Sequence, residues 1–231
     1  MAAADDQPAK RAVIGLREAM QVLMQRCPSL ARTCYWAGTA AIAVEELGHR
    51  ESMDLDLHTR RALMDVRPIL DQIRAAFPGD FELVQAPDEF GSGFMGILAL
   101  PSGGHIAIEV LSNYEDAPEE DLTPSATFPG LMRVSLLRYL TDKIQCVAER
   151  AEARDLYDIS AVLRDRPALQ AKARQLLADQ DALLVGERLL AWTDAEIEED
   201  LRTYPGVDTA EAKRARDLLL GWLHTDSGAV P

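Results

Sequence analysis

The chain has 231 residues, 48% of them hydrophobic, and a formal net charge of −14. That length and apolar content suffice for a proper core, as one large domain or two small ones. The acidic balance argues against a general nucleic-acid binder, and no apolar run reaches membrane-spanning length, so no membrane partner is expected.

In chain order, Met1-Ala2-Ala3-Ala4-Asp5-Asp6 lacks the basic start and apolar centre of a signal peptide, which points to the cytoplasm. Val13, Leu16, Met20 and Leu23 form one stripe and predict a helix over 8–27, ending before Pro28. A tight turn at Gly38, a helix over 39–48 and a strand carrying Asp54 and Asp56 follow. The spacing of Val66, Ile69, Leu70 and Ile73 predicts a helix over 65–77. Strands are expected over 81–86, 93–100 and 104–111, the last two joined by the hairpin signal Pro101-Ser102-Gly103-Gly104. The acidic segment 113–130, with Pro118, Pro124 and Pro129, reads as a long loop. Helices are then expected over 135–150, 154–165, 167–178, 182–192, 194–203 and 209–224, with Trp192 and Trp222 in a bundle core. These elements divide the chain into an α/β core over 1–130 and a helical domain over 131–231.

Cys27, Cys34 and Cys146 are an odd count without C-x-x-C spacing and read as reduced thiols. His49, His58, His105 and His224 form no zinc-binding spacing. Charge is uneven along the chain. From Gly130 to Arg174 nine Lys/Arg face six Asp/Glu, whereas 179–231 carries twelve acids and five bases. A small basic patch is therefore compatible with an acidic protein, and would suit a triphosphate or one end of an RNA rather than a long duplex.

The chemistry concentrates in Ser52-Met53-Asp54-Leu55-Asp56-Leu57. On a strand Asp54 and Asp56 project from one face, with Met53, Leu55 and Leu57 on the other. Like charges side by side repel, and a divalent cation such as Mg²⁺ reverses that, especially when a substrate phosphate completes its shell. An exposed edge strand with two solvated aspartates fits the same pattern. Upstream, Gly38-Thr39 opens a helix whose first N–H groups, with the Thr39 hydroxyl, suit phosphate oxygens; a plain Thr39 cap is the other reading. Glu109 projects from the apolar strand 104–111 as a third metal ligand or an ordinary surface glutamate. Lys143, Val147, Arg150, Arg154 and Asp158 fall on one helical stripe. A row of one Lys and two Arg suits a triphosphate, and Asp158 could orient or deprotonate an attacking hydroxyl. A salt-bridged solvated face with Glu149, Glu152 and Asp155 is the alternative. The apolar face slips out of phase between Val147 and Leu156, so a bend near Ala151–Arg154 is expected, leaving Asp155 and Asp158 as rivals for the pocket.

Taken together, Gly38-Thr39-Ala40, Leu47-Gly48-His49-Arg50, Ser52-x-Asp54-Leu55-Asp56, Lys143, Arg150 and Arg154-Asp155-x-x-Asp158 resemble the AbiEii/AbiGii-type nucleotidyltransferase toxins, a branch of the DNA polymerase β-like superfamily. The resemblance covers about residues 30 to 165. It implies an α/β (α+β) fold, a nucleotidyltransferase-like mixed sheet with flanking helices plus a C-terminal helical bundle that completes the active site. It also implies a Mg²⁺-dependent enzyme moving NMP from an NTP to an acceptor hydroxyl. Asp54 and Asp56 would be metal ligands, joined less firmly by Glu109, and Asp158 would be the late acid. Gly38, Thr39, Ser52, Lys143, Arg150 and Arg154 would bind the nucleotide. A tRNA 3′ end as acceptor and a cognate antitoxin as partner follow from the same resemblance.

The chain departs from that pattern twice. Ala37 replaces the usual first glycine, where a positive φ would be strained, and Leu57-His58 replaces aromatic residues. The first departure motivates a rival reading, a non-catalytic nucleotide- or partner-binding module on the same fold. The acidic surface motivates another, an enzyme nucleotidylating a protein or small molecule.

Overall fold

Period-two alternation in three long strands organises the first of two units into which the chain divides, Met1–Ser135 and Leu136–Pro231. The computed structural model describes residues 8–52, 54–150, 152–204 and 206–227, with side chains described from 15 to 225. The acidic start at 1–6, Met53 and Ala151 lie outside the described residues, as does the side chain of Val13.

The strands are β1 (Cys34–Trp36), β2 (Asp54–Ala62), β3 (Phe81–Gln85), β4 (Gly93–Ala99), β5 (His105–Asn113), β6 (Leu122–Pro124) and β7 (Met132–Val134). They form one sheet in the order β3-β4-β5-β2-β1-β7-β6. β2 pairs in parallel with β5 and β1 with β7, and the other neighbours are antiparallel. One face carries Leu55, Leu57, Phe94, Leu98, Ile106, Ile108 and Val110, all buried. The opposite face of β2 and β5 carries Asp54, Asp56 and Glu109, which keep contact with solvent. The alternation therefore separates core from chemistry strand by strand.

Helix α1 (Pro8–Arg26) buries Leu16, Ala19, Met20 and Leu23. A single turn, α2 (Leu30–Thr33), leads into β1, and α3 (Gly38–Ile42) follows it. The helix expected over 39–48 widens to a π-helical turn over Ala43–Leu47 and ends at Gly48, whose φ of 56° lets its N–H reach the Ala43 carbonyl at 3.0 Å. α4 (Arg67–Ala76) buries Ile69, Leu70 and Ile73. The β4–β5 hairpin closes through Gly103 and Gly104, at φ 88° and 95°.

Three short strands depart from the expected elements. β1, β6 and β7 have three residues each, too few to display a period. β6 lies inside the segment expected as loop, preceded by a 3₁₀ turn over Glu119–Asp121. Because β7 pairs with β1, the first unit extends to Ser135 rather than ending at 130.

The second unit contains α5 (Leu136–Glu149), α6 (Ala153–Asp165), α7 (Gln170–Ala178), α8 (Ala182–Ala191), α9 (Asp194–Leu201) and α10 (Thr209–Ser227). α5 stops just before the expected phase slip, and α6 restarts with Leu156, Ile159 and Val162 buried. A capping box, Thr193 with Glu196, starts α9. Trp222 is buried in this unit, whereas Trp192, at the end of α8, is only half-buried. Among the described residues no helix is long and apolar enough to cross a membrane.

Candidate active site

In the first unit the acidic face is assembled by register. β2 sets Asp54 level with Ala107 and Asp56 level with Glu109 on β5. Three carboxylate residues thus share one sheet face across two neighbouring strands. Burial, and then the Asp54 charge, raise the Glu109 carboxyl above its ordinary value. Among the described residues no three His, Cys, Asp or Glu side chains form a ready metal-holding group. The three acids therefore share a face without closing into a three-ligand centre. Their hard oxygens still suit a Mg²⁺-sized cation whose remaining ligands are water and phosphate.

The turn before α3 leans on this face. Gly38 has φ 69°, and a Cβ there would stand 1.9 Å from Asp56 Oδ2, so no larger residue fits without displacing the carboxylate. The Ala37 N–H donates to the Asp56 carbonyl at 2.9 Å, tying the turn to β2. Ala37 itself is extended, at φ −103° and ψ −173°, so its substitution for glycine carries no backbone strain. Ser52 Oγ donates to Asp54 Oδ1 at 2.5 Å. Arg50 donates to the buried Thr39 Oγ1 at 3.0 Å, so that hydroxyl oxygen is already an acceptor. Gly38, Thr39, Ser52, Asp54, Asp56 and Glu109 thus belong to one neighbourhood of the first unit.

The second unit holds the cationic residues in a different way from a solvated stripe. Lys143 Nζ lies 2.8 Å from Asp155 Oδ1 and 2.9 Å from Asp158 Oδ2, and neither aspartate side chain has any exposed surface. Arg150 adds Nε at 3.1 Å and a second guanidinium nitrogen at 3.2 Å to Asp155. Burial opposes the charge on Arg150, but hydrogen bonding and the charge of Asp155 outweigh it and raise its pKa. Asp155 and Asp158 are therefore not alternatives, because both face Lys143 across the break between α5 and α6. Arg154 turns elsewhere, pairing with Glu152 at 2.5 Å and donating to the Tyr204 hydroxyl at 3.0 Å.

One constellation escaped the sequence reading. Glu45, with no exposed side-chain surface, takes Arg133 Nε at 2.9 Å, the Ala126 and Thr127 N–H groups at 3.0 and 3.2 Å, and the Ser125 hydroxyl. Glu46 pairs with the same guanidinium. The only signal in the sequence was an acidic pair closing an apolar run, which the period leaves on either face.

The family model described as "Nucleotidyl transferase AbiEii toxin, Type IV TA system" matches residues 37–222. The sequence has no match among curated proteins. The fold is similar to that of a Helicobacter pylori protein assigned as a nucleotidyltransferase, with TM-score 0.62 and 16% identity over 94% of this chain and 96% of that one. It is also similar to MenT4, a nucleotidyltransferase toxin from Mycobacterium tuberculosis H37Rv, with TM-score 0.57 and 20% identity over 93% and 87%. A further likeness, JHP933 from Helicobacter pylori, has TM-score 0.51 and 17% identity over 94% and 95%. At these identities the structures establish a nucleotidyltransferase fold. The family match spans most of the chain, including both acidic strands and the Lys143–Asp155–Asp158 cluster, and on it the chain belongs to the AbiEii nucleotidyltransferase toxin family.

Proposed function

We propose that this protein transfers NMP from an NTP to an acceptor hydroxyl on RNA, the 3′ end of a tRNA being the acceptor to test first, as the toxin of a pair with a cognate antitoxin. The observation that supports this most is the register of Asp54 and Asp56 beside Glu109, with the Gly38 turn against Asp56. In this reading Asp54 and Asp56, assisted by Glu109, hold Mg²⁺. When bound, the cation supplies positive charge for the triphosphate and makes the acceptor oxygen a better nucleophile. The Gly38–Thr39 turn orients phosphate oxygens, and Ser52, whose hydroxyl donates to Asp54, holds that carboxylate in place. The acceptor hydroxyl gives its proton to solvent as its oxygen bonds to the α-phosphorus; the bond from that phosphorus to the bridging oxygen of the β-phosphate breaks, and pyrophosphate leaves.

Lys143 and Arg150 supply the cationic part of the proposed machinery. The full burial of Asp158 against Lys143 favours a holding role over proton abstraction, since a carboxylate without exposed surface cannot reach an acceptor hydroxyl unless it moves. We therefore propose Asp155 and Asp158 as positioning residues for Lys143. With Ala37 unstrained, the reason for suspecting a non-catalytic module falls away. The test is incubation of the pure protein with each labelled NTP, Mg²⁺, and total RNA or total protein. Label on RNA is expected, and Asp54→Ala should abolish it without unfolding the chain. Label on protein alone would move the acceptor to the rival class, and no label with any NTP would overturn the enzymatic reading.

A further inference from the structure

We propose that Arg133 is a positioning residue for the Asp54–Asp56 face, acting through Glu45 and Glu46 on the helix that carries the Gly38 turn; this rests on the nucleotidyl-transfer reading above. Arg133 lies on β7 in register with Trp36 of β1, two residues before Gly38, and is 6% exposed. Its Nε holds Glu45 at 2.9 Å, another guanidinium nitrogen holds Glu46, and a third donates to the Val134 carbonyl at 2.9 Å. Glu45 is locked from its other side by the Ala126 and Thr127 N–H groups and the Ser125 hydroxyl. Burial alone would raise the Glu45 carboxyl, but these hydrogen bonds and Arg133 outweigh it and leave its pKa lowered, so it is held as a carboxylate.

The helix geometry makes this clamp a lever. Successive side chains on an α-helix diverge by about 100°, yet two successive glutamates here grip one guanidinium, and they do so in the π-helical turn Ala43–Leu47. That turn continues directly from α3, whose first residue is Gly38. At that end there is no slack, since the position a Gly38 Cβ would take is 1.9 Å from Asp56 Oδ2. A tilt or register change of residues 38–47 therefore moves the turn into or away from Asp56. Buried ion triads contribute little net stability compared with apolar side chains of similar size. Fixed geometry is the property that such a triad adds here.

The test compares wild type with the double variant Arg133→Met/Glu45→Leu, in which apolar contacts replace the ion pair, and with Arg133→Lys, which keeps charge but loses the fork. Four quantities are measured: the thermal melt, hydrogen exchange of the 38–48 amides, and KM and kcat for whichever NTP wild type uses. With melting preserved, we expect exchange at 38–48 to rise about tenfold or more and KM for the NTP to rise about tenfold with a smaller change in kcat. Arg133→Lys should fall between. A folded double variant with wild-type exchange and wild-type KM would overturn the proposal. Should the double variant fail to fold, Arg133→Lys decides by the same two readouts. If wild type transfers label from no NTP, the functional reading fails, and exchange at 38–48 still decides whether the clamp fixes the turn.

Discussion

Glu109 shows how much one residue's surroundings decide. Its pKa is raised by burial and by Asp54, so the folded state binds this proton more tightly than the unfolded chain does. The sign follows directly: the favourable contribution is present below the unfolded glutamate pKa of about 4.3 and is lost as pH rises through the raised folded value. At neutral pH the ionised Glu109 therefore costs stability. Glu109→Gln is expected to melt higher than wild type at pH 7 without metal, with the gain vanishing near pH 4. If Glu109 contributes to a cation site, Mg²⁺ with NTP should raise the wild-type melting temperature more than that of the variant, because a ligand that binds only the folded state stabilises it. Equal melting of the two proteins at both pH values would show that the acidic face is not crowded.

Among the elements, the break between α5 and α6 has the largest consequences. It turns Asp155 and Asp158 toward the same Lys143, with Arg150 closing on Asp155 as well. The resemblance names Asp158 as the late acid, yet it is Asp155 that both Lys143 and Arg150 hold. Removing a partner from a buried pair typically costs about 3–5 kcal/mol. Asp155→Asn is therefore expected to lose stability in that range in a denaturant melt and to lose transfer with it. Asp158→Asn should be milder in stability, because Lys143 retains Asp155, while turnover falls as Lys143 loses the Asp158 anchor. A larger stability loss for Asp158→Asn than for Asp155→Asn would contradict this assignment.

At the scale of the whole molecule, each unit buries its own apolar set. Leu140, Ile144, Val147, Leu156, Ile159, Leu189 and Leu219 lie within residues 136–231, and none has more than 1% of its surface exposed. A segment with such a core is expected to fold alone. Residues 136–231 expressed separately should give a helical circular-dichroism spectrum and a cooperative thermal transition. A non-cooperative, largely unstructured fragment would show that its core depends on residues before Leu136. The same fragment isolates the Lys143–Asp155–Asp158 cluster, so the cost of Asp155→Asn can be measured there without the sheet.

The sequence by itself determined the long elements and the acidic pair. Alternation over β2, β4 and β5 is long enough to define a face, and Gly38, Gly103 and Gly104 mark turns that need positive φ. Asp54 and Asp56 were legible because only a strand puts residues two apart on one side. What the sequence could not supply is pairing. That Glu109 stands level with Asp56 depends on which strand lies beside β2 and in what register. That Asp155 and Asp158 both reach Lys143 depends on the angle at which the chain restarts after Arg150. Three-residue strands such as β1 and β7 carry no period, so the Arg133–Glu45 clamp they help to place was invisible until the sheet assembled it. Local pattern fixes which way a side chain points, whereas only tertiary packing decides what it meets there.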